Sequence, residues 1–346
     1  MRRIILTTLL FSVTVRQVYG GTNQAAAIFL VIYPGARQTA MAGAFTAVAD
    51  DAVATYYNDG GLAFQKMTRV TYMHVDWLPG LARSAGIRMY YEFASLVRPL
   101  EDGVFGAQMI YLNSGNTVAV DETGRKIDEW TTFDAAVKLS YATLLSDNIG
   151  LGIGWKFIYS FLAKADVLYQ MYKIESGGTG KSWAFDLSVL YKSKILDGLQ
   201  VGIALHNLGP GIRYTNTGES DPLPYTWRFG IAYRGLLSNY GNYTISGELT
   251  KIFAGFWNDV QYIKEKPNEG WTYVWHDTWK SIGAEVNLLQ IFSLRVGYFW
   301  DVEGHRVGPT FGAGIGYKNI QFDIGVDAEI YEFPTDNYHL QLSYAW

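Results

Sequence analysis

The chain contains few residues whose type and spacing could support catalysis or metal binding. Residues 176–182, with the sequence SGGTGKS, resemble a phosphate-binding loop, but Glu175 stands where that motif needs its first glycine. The residues from Trp183 onward alternate like a strand, whereas the motif must open a helix. The five His residues are far apart and lack metal-ligand spacing. We therefore predict a protein that is not an enzyme and uses no cofactor or metal.

Composition narrows the class of protein further. The 346 residues include no Cys, which excludes a disulfide framework, thiolate zinc sites and a cysteine nucleophile. Aromatic residues make up 16% and charged residues only 17%, against about 25% charged in ordinary soluble domains. The formal net charge of −4 gives no basic surface for nucleic acid. A mean hydropathy of +0.01 argues against a bundle of membrane helices, so a soluble β-rich protein or a membrane β-barrel remains.

The amino terminus has the pattern of an export signal. Arg2 and Arg3 precede an apolar stretch over residues 4–15, which is too short to span a bilayer. Gly20 closes a plausible cleavage site, so residues 1–20 are predicted to be a signal peptide. A buried N-terminal helix is the alternative.

The rest of the chain alternates with period two, as strands do. In residues 183–192 every odd position is large and apolar, while the even positions include Ala184, Asp186 and Lys192. Most such segments reach the roughly 9–11 residues that a tilted membrane strand needs, and aromatic residues gather at their ends. We predict about fourteen strands: 67–77, 85–96, 103–113, 130–142, 147–162, 181–192, 198–207, 225–236, 241–252, 277–288, 291–301, 308–317, 319–330 and 336–346.

Long and short connections alternate along the chain, as in outer-membrane barrels with long outer loops and tight periplasmic turns. A soluble β-sandwich is the alternative, but its solvated face would be polar rather than rich in Gly, Ala and Ser. The predicted fold is therefore an all-β, antiparallel up-and-down transmembrane barrel over residues 67–346. The long connections are 114–129, 163–180, 208–224 and 253–276, and the short ones are 97–102, 143–146, 193–197, 237–240, 289–290 and 318.

The segment before the first strand has a different character. Residues 34–64 are rich in Ala and Gly and keep no strand alternation. Asp50 or Asp51 could cap a short helix through Tyr57, which Gly60 and Gly61 would end. Because a fourteen-stranded lumen is too wide for side chains alone to fill, we predict that residues 21–66 form a plug in the lumen. A disordered periplasmic tail is the alternative.

The plug segment also carries a resemblance to a known family. Its pattern is similar to the N-terminal signature of the FadL-like outer-membrane proteins, and pieces such as residues 207–210 and 283–285 are similar to the PorV/PorQ branch of type IX secretion. The resemblance covers the whole mature chain and implies a fourteen-stranded barrel with an N-terminal plug. The residues that carry the signature are Gly35, Ala36, Arg37, Gly43, Ala44, Phe45, Asp50, Asp51, Asn58 and Gly61.

One departure from the family pattern concerns transport. The family usually has Asn-Pro-Ala-Gly where this chain has Asn58, Asp59, Gly60 and Gly61. That turn belongs to the hatch of the fatty-acid channels. Its loss therefore argues against a hatch-gated transport mechanism.

Charged residues on the strands are predicted to point into the lumen. Both signs occur in similar numbers, which favours pairing with the plug over a strongly ion-selective pore, with solvated lumen residues as the alternative. Glu285 and Arg295 flank the tightest hairpin, so a turn over residues 289–291 would place them directly opposite in a salt bridge. The predicted lumen charges are Asp134, Lys138, Lys156, Asp186, Arg228, Arg234, Glu248, Glu285, Arg295 and Asp323, with Arg88, Glu92, Lys192 and Asp327 also expected to face inward.

The carboxyl terminus and one long loop supply candidate contact sites. The last strand alternates to Tyr344 and the terminal Trp346, and resembles the signal that the barrel assembly machinery recognises. The loop over residues 253–276 is rich in aromatic residues, which suits either an apolar pocket that collects a hydrophobic ligand or a protein-docking patch. Its candidate contact residues are Phe256, Trp257, Trp271, Tyr273 and Trp275.

Three functions fit these features, all in a bacterial outer membrane. The resemblance implies a type IX secretion component that binds exported cargo or translocon partners through its outer loops. The alternatives are a passive transporter of long-chain fatty acids or other hydrophobic compounds, and a structural barrel without transport. The expected partners are outer-membrane lipid and the assembly machinery, together with secretion proteins or a hydrophobic small molecule, and no nucleic acid.

Overall fold

A computed structural model describes residues 25–174, 177–215, 220–253, 256–302, 304, 306–327 and 336–346. The predicted signal peptide over residues 1–20 lies outside these residues and stays a prediction.

Fourteen antiparallel strands close into a barrel, in which β1 pairs with both β2 and β14. This confirms the predicted fold class. Each predicted strand has an observed counterpart, although several boundaries differ. The strands are β1 Arg69–Asp76, β2 Tyr90–Pro99, β3 Val104–Val120, β4 Lys126–Ser146, β5 Ile149–Phe161, β6 Thr179–Lys192, β7 Leu199–Leu208, β8 Thr226–Ser238, β9 Gly241–Ile252, β10 Trp279–Leu288, β11 Phe292–Asp301, β12 Arg306–Tyr317, β13 Ile320–Asp327 and β14 Asn337–Ala345.

The two faces of the strands are inverted relative to a soluble protein. On β6, Trp183, Phe185 and Leu187 keep 45%, 40% and 45% of their surface exposed, whereas the intervening Asp186 is fully buried. Large apolar side chains on the outside and charges on the inside would be unstable in water, but they suit a barrel surrounded by hydrocarbon. This arrangement argues against the β-sandwich.

The chain before β1 folds inside the barrel as the plug, defined here as residues 25–66. It contains a 3-10 helix at Ile28–Val31, α1 at Ala36–Ala40, α2 at Ala54–Tyr57 and a second 3-10 helix at Asp59–Phe64. α2 ends at Tyr57, as predicted. The predicted role of Gly60 and Gly61 in ending the helix is wrong, because the second 3-10 helix runs through both residues.

The carboxylates predicted to cap the plug helix take separate roles. Asp51 Oδ1 accepts the backbone N–H of Val53 at 2.8 Å, just before α2. Asp50 instead pairs with arginine side chains. Only Asp51 therefore acts near the helix start.

The connections hold more regular structure than predicted. Residues 114–129 are not a long loop, because β3 and β4 continue as a hairpin and leave only residues 121–125 as the turn. The predicted start of β2 at residue 85 is wrong as well, since α3 at Pro79–Ser84 precedes it and β2 begins at Tyr90. Two long connections contain α4 at Ala165–Tyr172, α5 at Phe256–Glu265 and α6 at Pro267–Asp277. Among the described residues, no helix is both long and apolar enough to cross a membrane.

The barrel closes where the end of the chain meets the start of β1. The backbone N–H of Trp346 donates to the Thr68 carbonyl at 2.9 Å, and the Thr68 N–H donates to the Trp346 carbonyl at 3.0 Å. The Trp346 ring points outward and stacks on Tyr344, with 5.4 Å between ring centroids. The terminal residue thus contributes both to the closing seam and to the outer aromatic surface.

We expect deletion of Trp346 to lower the yield of assembled barrel, because it removes two seam hydrogen bonds and an aromatic outer side chain. Heat-modifiable migration on gels measures the folded fraction in membranes. The control is Trp300→Ala, which removes an outward aromatic side chain away from the seam. An equal folded yield for the deletion and the control would contradict this prediction.

Candidate functional site: the plug in the lumen

The lumen wall has an apolar side and a charged side, and the plug matches both. Inward residues of β1, β2 and β3, including Met73, Phe93 and Ile110, belong to one buried cluster with the plug residues Phe45 and Tyr57. The charged side lies mainly on strands β4 to β13, and its side chains pair with the plug. The plug is therefore bound by apolar contact on one side and by ion pairs on the other.

Close approach of the plug backbone requires glycine at many wall positions. A Cβ added to Gly152 would lie 2.3 Å from the carbonyl carbon of Asp59, and one added to Gly202 would lie 2.2 Å from the Thr46 carbonyl oxygen. These distances are shorter than any side chain tolerates, so only glycine lets the plug backbone reach the wall. An added Cβ would also lie within 3.0 Å of a plug backbone or Cβ atom at Gly150, Gly230, Gly283, Gly297, Gly312 and Gly325.

Arg37 on α1 is the centre of the first charged cluster. Its Nε and Nη2 each donate to Glu285 at 2.8 Å, which is a two-pronged contact with the wall. Its Nη1 lies 2.6 Å from Asp50 Oδ1 and 3.0 Å from Asp51 Oδ2, both on the plug. Arg234 of the wall also pairs with Asp50. The guanidinium thus joins two separate parts of the plug to β10.

The predicted salt bridge between Glu285 and Arg295 is present and extends the same cluster. The two residues are direct partners between β10 and β11, and Arg295 Nε lies 2.6 Å from Glu285 Oε2. Arg295 Nη1 also pairs with Asp323 on β13 at 2.7 Å. The intervening turn is Leu289–Ile291, as predicted, with left-handed φ values of 54° at Leu289 and 56° at Gln290.

The plug carboxylates of this region titrate differently. Burial raises the pKa of Asp50, but Arg37 and Arg234 lower it by more, so that its pKa lies well below the usual value. Burial raises the pKa of Asp51, and Arg37 offsets this only partly while Asp50 adds a like charge. The pKa shifts of the two carboxyl groups therefore have opposite signs.

A second cluster forms at the turn that departs from the family pattern. Asp59, at the tip of that turn, lies 2.7 Å from Lys138 Nζ, which also lies 2.6 Å from Asp186 and donates to the Thr55 carbonyl at 2.7 Å. Lys156 pairs with the same Asp186 at 3.0 Å. These four charged side chains are at most 7% exposed, so two cations balance two anions away from bulk water.

The second cluster is organised by a break in the β6–β7 ladder beside Asp186. The register shifts between Phe185 and Leu187, and Asn207 has a left-handed φ of 64°. As a result the Asn207 N–H donates to Asp186 at 2.9 Å, while its side-chain oxygen accepts from Lys156 at 2.7 Å. His206 lies between Asp186, 3.3 Å away, and the Tyr57 carbonyl, 3.2 Å away. Sequence reasoning did not assign these roles to His206 and Asn207.

A third cluster joins Glu248 and Arg228 to the plug. Glu248 accepts the backbone N–H groups of Phe45 at 3.0 Å and Thr46 at 2.9 Å, and pairs with Arg228 at 3.0 Å. The Arg228 guanidinium lies over the rings of Tyr33, Tyr56 and Tyr57, at 4.7, 5.3 and 5.1 Å from their centroids. The cation is thus shared between a carboxylate and three aromatic faces.

Other signature residues set the backbone path of the plug. Gly35 and Gly43 have φ values of 93° and 76°, and a Cβ on Gly43 would lie 2.1 Å from the Tyr33 ring. The Ala36 N–H donates to Gln341 on β14 at 3.0 Å. Asn58 Nδ2 donates to the Thr46 carbonyl at 2.7 Å and to the Val189 carbonyl at 3.0 Å.

Two further signature residues pack within the plug itself. Ala44 is fully buried. A Cβ on Gly61 would lie 2.3 Å from the Ala49 carbonyl oxygen.

The remaining predicted charges include two that do not face the lumen. Arg88 and Glu92 are on the outer surface, where Glu92 pairs with His74 at 2.8 Å and Arg88 with Asp76 at 3.3 Å. That part of the prediction was wrong because the inward face of β2 is apolar. Tyr91 and Phe93 are buried in the cluster with the plug, so the alternate residue Glu92 faces outward, and Arg88 lies before the strand.

The other charges lie inside the barrel. Asp134 is half-buried, Lys192 lies over the Phe64 ring, 4.0 Å from its centroid, and Asp327 accepts from Asn337 at 3.2 Å.

Two cavities lie beside the plug. One of about 400 Å³ is at the end with the short turns and is lined by polar side chains such as Arg37, Arg69 and Asp323. One of about 40 Å³ is at the opposite end, between Tyr33, Trp279 and Phe299. A volume of 40 Å³ has room for little more than water. The cavity at this end is therefore too small for a larger solute.

The loop residues predicted to contact a partner lie on the hairpin of α5 and α6. Trp271 and Trp275 are 65% and 56% exposed. The side chains of Phe256, Trp257 and Tyr273 lie outside the described part of the structure.

Lys138→Met should loosen the plug, because it leaves Asp59 buried without its cation. Breaking a buried pair in this way costs about 3–5 kcal/mol. The chain has no Cys, so a Thr46→Cys variant carries a single thiol inside the plug. The backbone carbonyl of residue 46 accepts a hydrogen bond from Asn58 and so belongs to the packed part of the plug. Its rate of reaction with a bulky maleimide in detergent measures exposure of the plug.

We expect slow labelling in the parent and at least tenfold faster labelling with Lys138→Met. The control is Lys181→Met, which removes an exposed outward lysine on β6. If labelling is slow in all three proteins, the Lys138 cluster does not hold the plug.

Gly152→Val should also expose Thr46→Cys, because the new side chain would overlap the Asp59 backbone. Gly247→Val on β9 is the control, since its added Cβ would have only the Ser281 carbonyl nearby, at 3.9 Å. Both variants place a β-branched residue in a strand, so folded yield should be similar. Equal labelling of the two would show that wall glycines do not determine plug seating.

The chain is similar to known proteins both in sequence and in fold. A family model for the type IX secretion system protein PorV matches residues 19–257. No curated protein matches the chain.

Several solved barrels share the fold. The Ralstonia pickettii toluene transporter TbuX is 11% identical with a TM-score of 0.51, and the P. putida toluene transporter TodX has the same two values. A deltaS2 mutant of the TodX monoaromatic hydrocarbon channel is 12% identical with a TM-score of 0.53. Each similarity covers 90% of this chain and 97% of the other. At these identities the similarity shows the fold alone, whereas the family match covers well over half of the chain. The plugged fourteen-stranded barrel therefore belongs to the PorV family of type IX secretion system outer-membrane proteins.

Proposed function

We propose that this protein is a non-enzymatic component of type IX secretion that binds exported cargo or translocon partners through its extracellular loops. The observation that carries the proposal is the plug, which is held in the lumen by the wall. Three charged clusters and a wall of glycines hold the plug in place, so a role in secretion must depend on the outer surface of the protein.

The hairpin of α5 and α6 is the best candidate for that surface. It lies at the end opposite the short periplasmic turns, and Gly270 packs against Ile263, where an added Cβ would lie 2.6 Å from the Ile263 Cα. This close packing makes a firm base for the exposed Trp271 and Trp275. Exposed tryptophans on a rigid element are typical anchors of protein interfaces.

Passive transport of hydrophobic compounds is the second candidate. It is favoured by the fold shared with the toluene transporters and by the aromatic lining of the 40 Å³ cavity. Cavities that bind benzene are about 150 Å³, so this one would need the plug to move before it held such a solute. The buried charge clusters oppose that movement.

A pull-down of the tagged protein from native outer membranes separates the two candidates, with proteins and lipids both identified. We expect secretion-system proteins with the parent and at least a fivefold loss with the double variant Trp271→Ser and Trp275→Ser. The control is Tyr240→Ser, which removes a 72% exposed aromatic residue at the periplasmic end. Recovery of a hydrophobic compound without any secretion protein would contradict the proposal and support transport.

A further inference from the structure

The hairpin of β3 and β4 projects beyond its neighbours in the barrel. The last pair between β2 and β3 is Tyr90 with Asn113, and the last pair between β4 and β5 is Phe133 with Phe161. Residues 115–120 and 126–132 continue as a two-stranded ribbon. At about 3.4 Å per residue, this ribbon extends about 20 Å further from the membrane.

One edge of the ribbon is covered by the next connection. Trp130 Nε1 donates to the Leu162 carbonyl at 2.9 Å, and Thr132 Oγ1 donates to the same oxygen at 3.3 Å. Lys164 Nζ donates to Asp128 at 2.7 Å and to the Glu129 carbonyl at 3.2 Å. These contacts fix the ribbon relative to the barrel, so its opposite edge is held in a defined position.

The opposite edge, residues 116–120 of β3, is open. Within the described part of the chain, the backbone groups that residues 116–120 direct away from β4 have no hydrogen-bond partner. Exposed edges are normally protected by charge, proline or a bulge. The sequence here is NTVAV, with no charge and no proline, and Val118 and Val120 are 49% and 44% exposed. The register of the β3–β4 ladder shifts between Asn113 and Gly115 and between Ala119 and Val120, while residues 116–119 pair regularly with β4.

We propose that this edge of β3 binds an extended strand of a partner protein, which adds to the ribbon in line with β2. The position follows from the ladder that β2 already makes with β3, which ends at Asn113. Ile87 packs against Gly115 and marks the lower end of the vacant position, since a Cβ on Gly115 would lie 3.0 Å from the Ile87 Cβ.

The chemistry of the edge defines the occupant. An added strand would satisfy the outward N–H and C=O groups of residues 116–120, as in other cases of strand addition. Val118 and Val120 lie on one face of β3, so apolar side chains at alternate positions of the partner would cover them. The partner segment is thus about five residues long, extended and uncharged at its centre. The inference rests on the proposed function for one point only, namely that the partner segment belongs to an exported or secretion-system protein.

Site-specific cross-linking tests the edge in native outer membranes. Because the chain has no Cys, Val118→Cys and Thr131→Cys each provide one thiol for a photo-crosslinker, the first on the open strand and the second on the covered one. We expect cross-links from position 118 to one continuous segment of a secretion-system protein, at least fivefold above those from position 131. Cross-links to position 118 of a second copy, or equal yields from both positions, would overturn the inference.

Two edge variants then test strand addition itself in the same pull-down. Val118→Pro removes a backbone donor, and the double variant Asn116→Lys and Val118→Lys adds protective charge while keeping the backbone. Val118→Thr is the control because it keeps both the donor and the β-branched shape. We expect at least a fivefold loss of the partner with both edge variants and no loss with the control.

The outcomes of that pull-down are distinguishable from those of the proposed function. Full recovery of secretion proteins with both edge variants overturns the edge inference and leaves the proposed function standing. Absence of secretion proteins from every sample, including the parent, overturns both.

Discussion

Charge balance across the boundary between plug and wall is the constraint on which the rest of this structure depends. Asp59 belongs to the plug and Lys138 to the wall, and their side chains are 0% and 1% exposed, respectively. The same division holds for Arg37 with Glu285. A buried charge without its partner is far more costly than the pair is favourable. The charged side chains of the plug and the wall therefore depend on one another, and this pairing holds the plug in the lumen.

The remaining features of the barrel make this pairing possible. Wall glycines such as Gly152 and Gly202 let the plug backbone come close enough for short ion pairs. The register shift beside Asp186 turns an asparagine and a histidine toward the same carboxylate. The apolar side chains of β1 to β3 hold the other side of the plug without charges. In such a barrel the surfaces available for binding a partner lie outside the lumen, on α5, α6 and the ribbon of β3 and β4.

Much of this architecture could be predicted from the sequence because membrane strands follow a strict two-residue period. The pairing of Glu285 with Arg295 was predictable since a short turn leaves few possible registers. Residues 114–129 were mispredicted because the ribbon outside the membrane lacks the long apolar alternation of the membrane strands. Arg88 and Glu92 were placed on the wrong side because charge was taken to mark the inward face, whereas the inward face of β2 is apolar. The roles of His206 and Asn207 depend on a ladder shift that one sequence does not reveal.

The most direct test of the closed lumen is the conductance of the purified parent protein in a planar lipid bilayer. If the paired charges hold the plug as described, the inserted protein gives no steady conductance at moderate voltage. A sustained open-channel conductance from the unmodified protein would contradict the account, because ions would then cross a lumen that the plug should fill.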